Sequence, residues 1–351
     1  MKKKQDNQEY IGPHQITYLP LRISATFALP VKAWRLAPGL CLQPISGQIK
    51  EELIARESKV KPSSGINSNY VVKIDSIAYG NHLLAKLAKK SKTIPIYPED
   101  IDIVGCDVIN ITKMILISFI LQNDLKFAFA HAHGFKVMPS GIYDKTFSSL
   151  NPHPREEMSY TWWSALPRRP STFINRKVLL KTLDRIEPYY RPFTWEVNRI
   201  STALCYFWNS LVLNEPNQLF TNLAILLECL LSTDKQELKH KICERAAILL
   251  GKNAEDRLAI YKDVKTIYDQ RSRIVHGEGA PKKGQLHPGK FMITPKYTYC
   301  PKNLISKVIG ISIDLLNVLL KDNEYMSIVR SEKNTNEALN DLFMKRLFVC
   351  N

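Results

Sequence analysis

The sequence predicts two domains of different class, a mixed α+β or β-rich unit over 15–155 and an all-α helical bundle over 170–351. Three observations carry this division. The first half mixes short apolar runs with turn signals, whereas the second half carries long stretches with the apolar period of helices. Between them, Asn151-Pro152-His153-Pro154 and Pro167-Arg168-Arg169-Pro170 punctuate the chain without period, as linkers do. At 351 residues, the chain is long enough for each unit to bury its own core.

Residues 1–14 are polar and read as a disordered tail. The apolar runs that follow lie at 16–21, 94–97, 104–109, 114–121 and 127–129, separated by turn signals such as Pro38-Gly39, Pro62-Ser63-Ser64-Gly65 and Pro139-Ser140-Gly141. Pro95 demotes its run to an edge strand or a loop. The run 114–121 lies between Lys113 and Gln122, far short of the ~20 residues of a membrane-spanning helix, and reads as a buried strand or a short core helix. One helix is expected at 77–90. Leu83, Leu84 and Leu87 share its inner face, and Lys86, Lys89 and Lys90 read as a solvated face in preference to a phosphate-binding patch.

The composition, 45% apolar and 23% charged, is that of a soluble globular protein. No apolar segment follows Met1-Lys2-Lys3-Lys4, so a cytoplasmic protein with no membrane partner is expected. The seven cysteines never form a Cys-x-x-Cys pair, which argues against a disulfide framework and a zinc ribbon. Cys205, Cys229 and Cys243 fall within apolar helical patterns, as small hydrophobes do. His131 and His133 alternate as strand neighbours, but no third ligand stands at a fixed spacing, so no metal is expected. Walker motifs, phosphate-cradling glycine loops and nucleophile elbows are absent, so no cofactor is expected either. A formal charge of +16 points to an anionic partner held by attraction that salt weakens.

In the second half, helices are expected near 172–187, 195–213, 217–232, 237–250, 254–276, 303–320 and 336–348. Asp234 and Glu237 stand at capping-box spacing before the fourth, and Gly251 suits a left-handed residue after it. Along the fifth, Ile260, Val264, Ile267 and Arg271 follow the spacing of one buried stripe. A guanidinium in such a place needs a carboxylate, because an unpaired buried ion costs several kcal/mol. Glu228 is the lone charge within 223–231, and it is expected to meet Arg271 between helices with Tyr261 or Tyr268 nearby. His276 closes the same helix before Gly277. There it faces the negative end of the helix dipole, a setting suited to a proton shuttle. Five positions separate the two side chains, about 140° around a regular helix.

Glu228 in its apolar helix, Arg245-Ala246-Ala247-Ile248-Leu249-Leu250-Gly251, and above all Tyr268-Asp269-Gln270-Arg271-Ser272-Arg273-Ile274-Val275-His276-Gly277 together resemble the Apea-like HEPN domain. The similarity is best over 217–279, looser over 170–351, and leaves the first half unexplained. The resemblance implies a HEPN-like helical bundle that forms a homodimer and, in many members, a metal-independent endoribonuclease of toxin-antitoxin or antiphage systems. It makes Arg271 and His276 the catalytic pair, supported by Glu228, Tyr268, Ser272 and Arg273. Ser272 is a weaker polar helper than the Asn, Asp or His that often follows the arginine in nuclease members. The alternative it implies is a bundle without turnover that binds RNA or a protein partner.

Overall fold

The computed structural model describes residues 16–23, 33–45, 70–90, 106–122, 127–128, 135–137, 176–189, 198–212, 216–234, 238–276, 302–331 and 335–349. The described residues up to 189 make one compact unit and those from 198 onward a second. The run at 94–97, expected as an edge strand or a loop, the residues His131 and His133, and the tail 1–14 lie outside the described residues.

The first unit is α+β. Its sheet is antiparallel in the order β2 (Trp34–Ala37), β3 (Leu40–Pro44), β4 (Tyr70–Asp75), β1 (Ile16–Ile23), with the short β5 (Phe127–Ala128) and β6 (Phe135–Val137) both paired to β1. The register sets Leu40 opposite Ile74 and Leu42 opposite Val72, and all four are buried, whereas Cys41 and Lys73 between them are only half-buried. This is the period-2 alternation of a sheet with one core face. Gly39 joins β2 to β3 with φ of +74°, and a Cβ there would lie 2.4 Å from the backbone nitrogen of Tyr79. Gly39→Ala is therefore expected to lower stability by about 1–3 kcal/mol from backbone strain alone, read as a lower urea midpoint.

Helix α1 (Ser76–Lys90) starts where the carboxylate of Asp75 accepts from Ala78 N at 3.1 Å. Leu83 and Leu84 are buried as expected. Lys86, however, is no simple solvated lysine, since its ammonium contacts Asp184 at 3.2 Å and the buried Glu187 at 2.5 Å. Helix α2 (Cys106–Gln122) absorbs two of the expected runs, so 114–121 is neither a strand nor a short helix but part of a 17-residue one. Apolar residues on nearly every side erase the amphipathic period, and periodicity alone cannot distinguish such a segment from a strand. Helix α3 (Arg176–Ile186) packs on α2, with Leu179, Leu183 and Ile186 buried. The sequence placed it in the bundle from 170 onward, but its amphipathic pattern reveals a face to bury and not the partner that buries it.

The described residues of the second unit form α4 (Arg199–Val212), α5 (Pro216–Leu231), α6 (Leu238–Leu250), α7 (Ala254–Val275), α8 (Lys302–Lys321), α9 (Asn323–Arg330) and α10 (Thr335–Val349). Helix α5 packs against α4, α6, α7 and α8 and buries Leu219, Leu223, Leu226, Leu227 and Leu230 among others. The last carbonyls of a helix have no partner within it. Here Arg199 donates to Cys229 O and Ser232 O, Tyr325 Oη to Leu230 O at 2.8 Å, and Arg245 Nη1 to Leu231 O at 2.6 Å. Helix α9 escaped the sequence reading because only Asp322, its N-cap, separates it from α8. Gly251 is not left-handed, contrary to expectation, as Gly39 alone among the described glycines has positive φ. Its smallness serves packing instead, since a Cβ would lie 2.4 Å from Arg257 Cγ and 2.7 Å from Ala247 O. Asp234 pairs with Lys241 at 3.0 Å, while Glu237 lies outside the described residues. No helix of the described residues is long and apolar enough to cross a membrane.

Candidate functional site

Helix α7 begins at Asn253, whose side chain accepts from Asp256 N at 2.8 Å. Of the apolar stripe read in the sequence, Val264 and Ile267 are fully buried, whereas Ile260 and Arg271 are half-buried. Arg271 Nη1 donates to Glu228 Oε1 at 2.7 Å, joining α7 to α5 as the lone charges in two apolar stripes predict. The side chains are 33% and 22% exposed, so the pair sits at the edge of the core and not within it. The Nε of Arg271 is buried without an acceptor.

Tyr268 is the tyrosine beside this pair. It is buried, its hydroxyl donates to Ala224 O at 3.4 Å, and burial pushes its phenol well above the ordinary range, with the charge of Glu228 adding to the shift. Tyr261 goes elsewhere, its hydroxyl 2.9 Å from His240 Nδ1. Burial also raises the carboxyl of Glu228 above its ordinary 4.5, and Arg271 offsets part of that rise. An acid with a raised folded value contributes stability that is complete below its unfolded value and is lost as pH rises through the folded one. Wild type is thus expected to lose stability relative to Glu228→Gln as pH rises above 4.5, followed by urea denaturation at a series of pH values. A difference that runs the other way would show the guanidinium outweighing burial.

His276 is the C-cap of α7, with φ of −85° and ψ of 5°, and its N–H donates to Ser272 O at 3.0 Å. His276, Ser272 and Arg273 are all exposed. The structure therefore brings Glu228, Arg271 and Tyr268 together and leaves Ser272, Arg273 and His276 on the surface of the same helix end. Among the described residues, no group of three or more His, Cys, Asp or Glu side chains is placed to hold a metal ion.

Sequence reasoning missed a second polar cluster. Arg245 is buried, donates to Asn340 Oδ1 at 2.7 Å as well as to Leu231 O, and stacks 4.8 Å from the Phe343 ring. The local signal was weak, because Arg245 follows Glu244 directly and only the run Ala246-Ala247-Ile248 after it is apolar. The cysteines divide differently from expectation, for Cys205 is exposed, Cys229 half-buried and Cys243 buried. Burial pushes the thiols of Cys229 and Cys243 up to about 11, away from the reactive thiolate. Native protein treated with iodoacetamide near neutral pH is expected to label Cys205 well before either, as mass spectrometry of the peptides would read.

Comparison of the chain with family models, curated proteins and solved structures finds no match.

Proposed function

We propose that the second unit is a HEPN-type bundle that acts, as a homodimer, as a metal-independent endoribonuclease of a prokaryotic antiphage or toxin-antitoxin system. The observation that carries this reading is the seating of Arg271 by Glu228 on the helix that ends at an exposed His276. A guanidinium fixed in advance suits charge that develops on a phosphate in the transition state, because it needs no reorganisation during reaction. An exposed imidazole suits proton transfer at the neighbouring ribose. The 2′-oxygen bonds to phosphorus, the bond from phosphorus to O5′ breaks, and His276 moves the proton from the 2′-hydroxyl toward the leaving O5′. Products carry a 2′,3′-cyclic phosphate and a 5′-hydroxyl.

The offset of about 140° between Arg271 and His276 gives the second subunit its role, since a second copy of α7 would place donors on the other side of one phosphate. The formal charge of +16 supports a polyanionic substrate. Incubating purified protein with RNA in EDTA and determining the end groups tests the reading. Cyclic-phosphate ends, and no cut at a site carrying a 2′-deoxy nucleotide, are the expected results. Binding of RNA without cleavage would assign the bundle to the class of non-catalytic RNA-binding modules.

A further inference from the structure

Helix α7 buries only Val264, Ile267 and Tyr268 among its 22 residues, so most of its surface faces away from the core. Along that surface, Leu258, Lys262, Lys265, Asp269, Ser272 and His276 recur at intervals of four, three, four, three and four. At about 100° per residue, they stay within about 40° of one line. All are exposed except Asp269, which is half-buried. The line therefore runs lengthwise down the helix and ends at His276. From Lys262 to His276 it spans about 21 Å.

Its electrostatics are one-sided. Asp269 is the one carboxylate on the line, and the ammonium of Lys239, from α6, contacts it directly. Arg273 flanks the line and is exposed. On the other flank stands Tyr261, its ring edge-on to that of His240 with centroids 5.9 Å apart. Among the acids nearby, Asp263 lies about 140° off the line and faces Lys307 at 3.7 Å. Glu255 and Asp256 belong to the first turn, before Leu258, and Glu244 of α6 is half-buried.

We infer that this face of α7 is the track along which single-stranded RNA lies as it approaches His276, an inference that rests on the ribonuclease reading above. A cationic rail with aromatic side chains beside it is how proteins hold a single strand without reading its sequence. Ammonium groups follow the phosphates, and flat rings accept any base. Lys262 and Lys265 are the phosphate contacts farthest from the cleavage point, and Tyr261 with His240 is the base platform.

The test measures binding of the full chain to a short 2′-O-methyl oligoribonucleotide, which cannot be cut, over a series of salt concentrations. The doubly substituted Lys262→Gln/Lys265→Gln protein is compared with wild type and with Lys177→Gln/Lys181→Gln, two exposed lysines of α3 in the other unit. The track variant is expected to bind about tenfold more weakly, with a log–log salt slope shallower by about 1.4, near 0.7 for each lost phosphate contact. The α3 variant is expected to match wild type, and all three proteins should share one unfolding temperature. Unchanged affinity in the track variant, equal losses in both variants, or a preference for duplex over single strand would each overturn the track while leaving RNA as the substrate. Failure of wild type to bind RNA would overturn the track and the ribonuclease reading together.

Discussion

Replacing His276 with alanine is expected to slow RNA cleavage by a factor on the order of 10²–10⁴, the usual contribution of a positioned general acid-base group. Because the imidazole is exposed on the last turn of α7, the same change should leave the unfolding temperature where it is. Arg271→Ala should slow cleavage by a factor on the order of 10²–10³, as losing one transition-state donor does. Unlike the histidine variant, it should also destabilise the protein, since Glu228 then keeps a half-buried carboxylate without its guanidinium. Rates measured in single-turnover assays beside thermal melts separate the two effects. A histidine variant with the wild-type rate would remove His276 from the chemistry.

The largest effect on the fold is expected at a residue with no part in the reaction. Arg245→Ala strips the donor from the Leu231 carbonyl and from Asn340, and takes a cation from the Phe343 ring. An acceptor stranded in a buried place costs about 1–3 kcal/mol, so the combined loss should reach about 3 kcal/mol or more. Burial lowers the proton affinity of this guanidinium, as expected of a charge that only fixed acceptors make tolerable. Urea denaturation reads the change directly. A shift within about 0.5 kcal/mol, ordinary for a surface substitution, would show that the end of α5 does not depend on Arg245.

What was legible in the sequence depended on whether a signal was local. The helix ends of α5, α6, α8 and α10 fall within a residue of their expected places, because polar residues or breakers bound each of them. The Glu228 to Arg271 contact was legible for a related reason, in that a lone charge in an apolar stripe must find its opposite. Partner choice was not legible. Nothing in the pattern of α3 distinguishes packing on α2 from packing in the bundle, and nothing local says that Arg199, Arg245 and Tyr325 converge on the end of α5. Gly251 teaches the same lesson, for its position after a helix suggested backbone conformation whereas its use is close approach to Arg257.

The claim on which the account turns is that two copies of α7 complete one site. Cleavage per chain, followed over a dilution series in which sedimentation reads the fraction of dimer, tests it most directly. The account predicts that activity per chain falls in step with the fraction of dimer, and that equimolar mixing of the Arg271→Ala and His276→Ala proteins restores part of it. A monomer that cleaves as fast as the concentrated protein, or a dimer that does not cleave RNA, would contradict it.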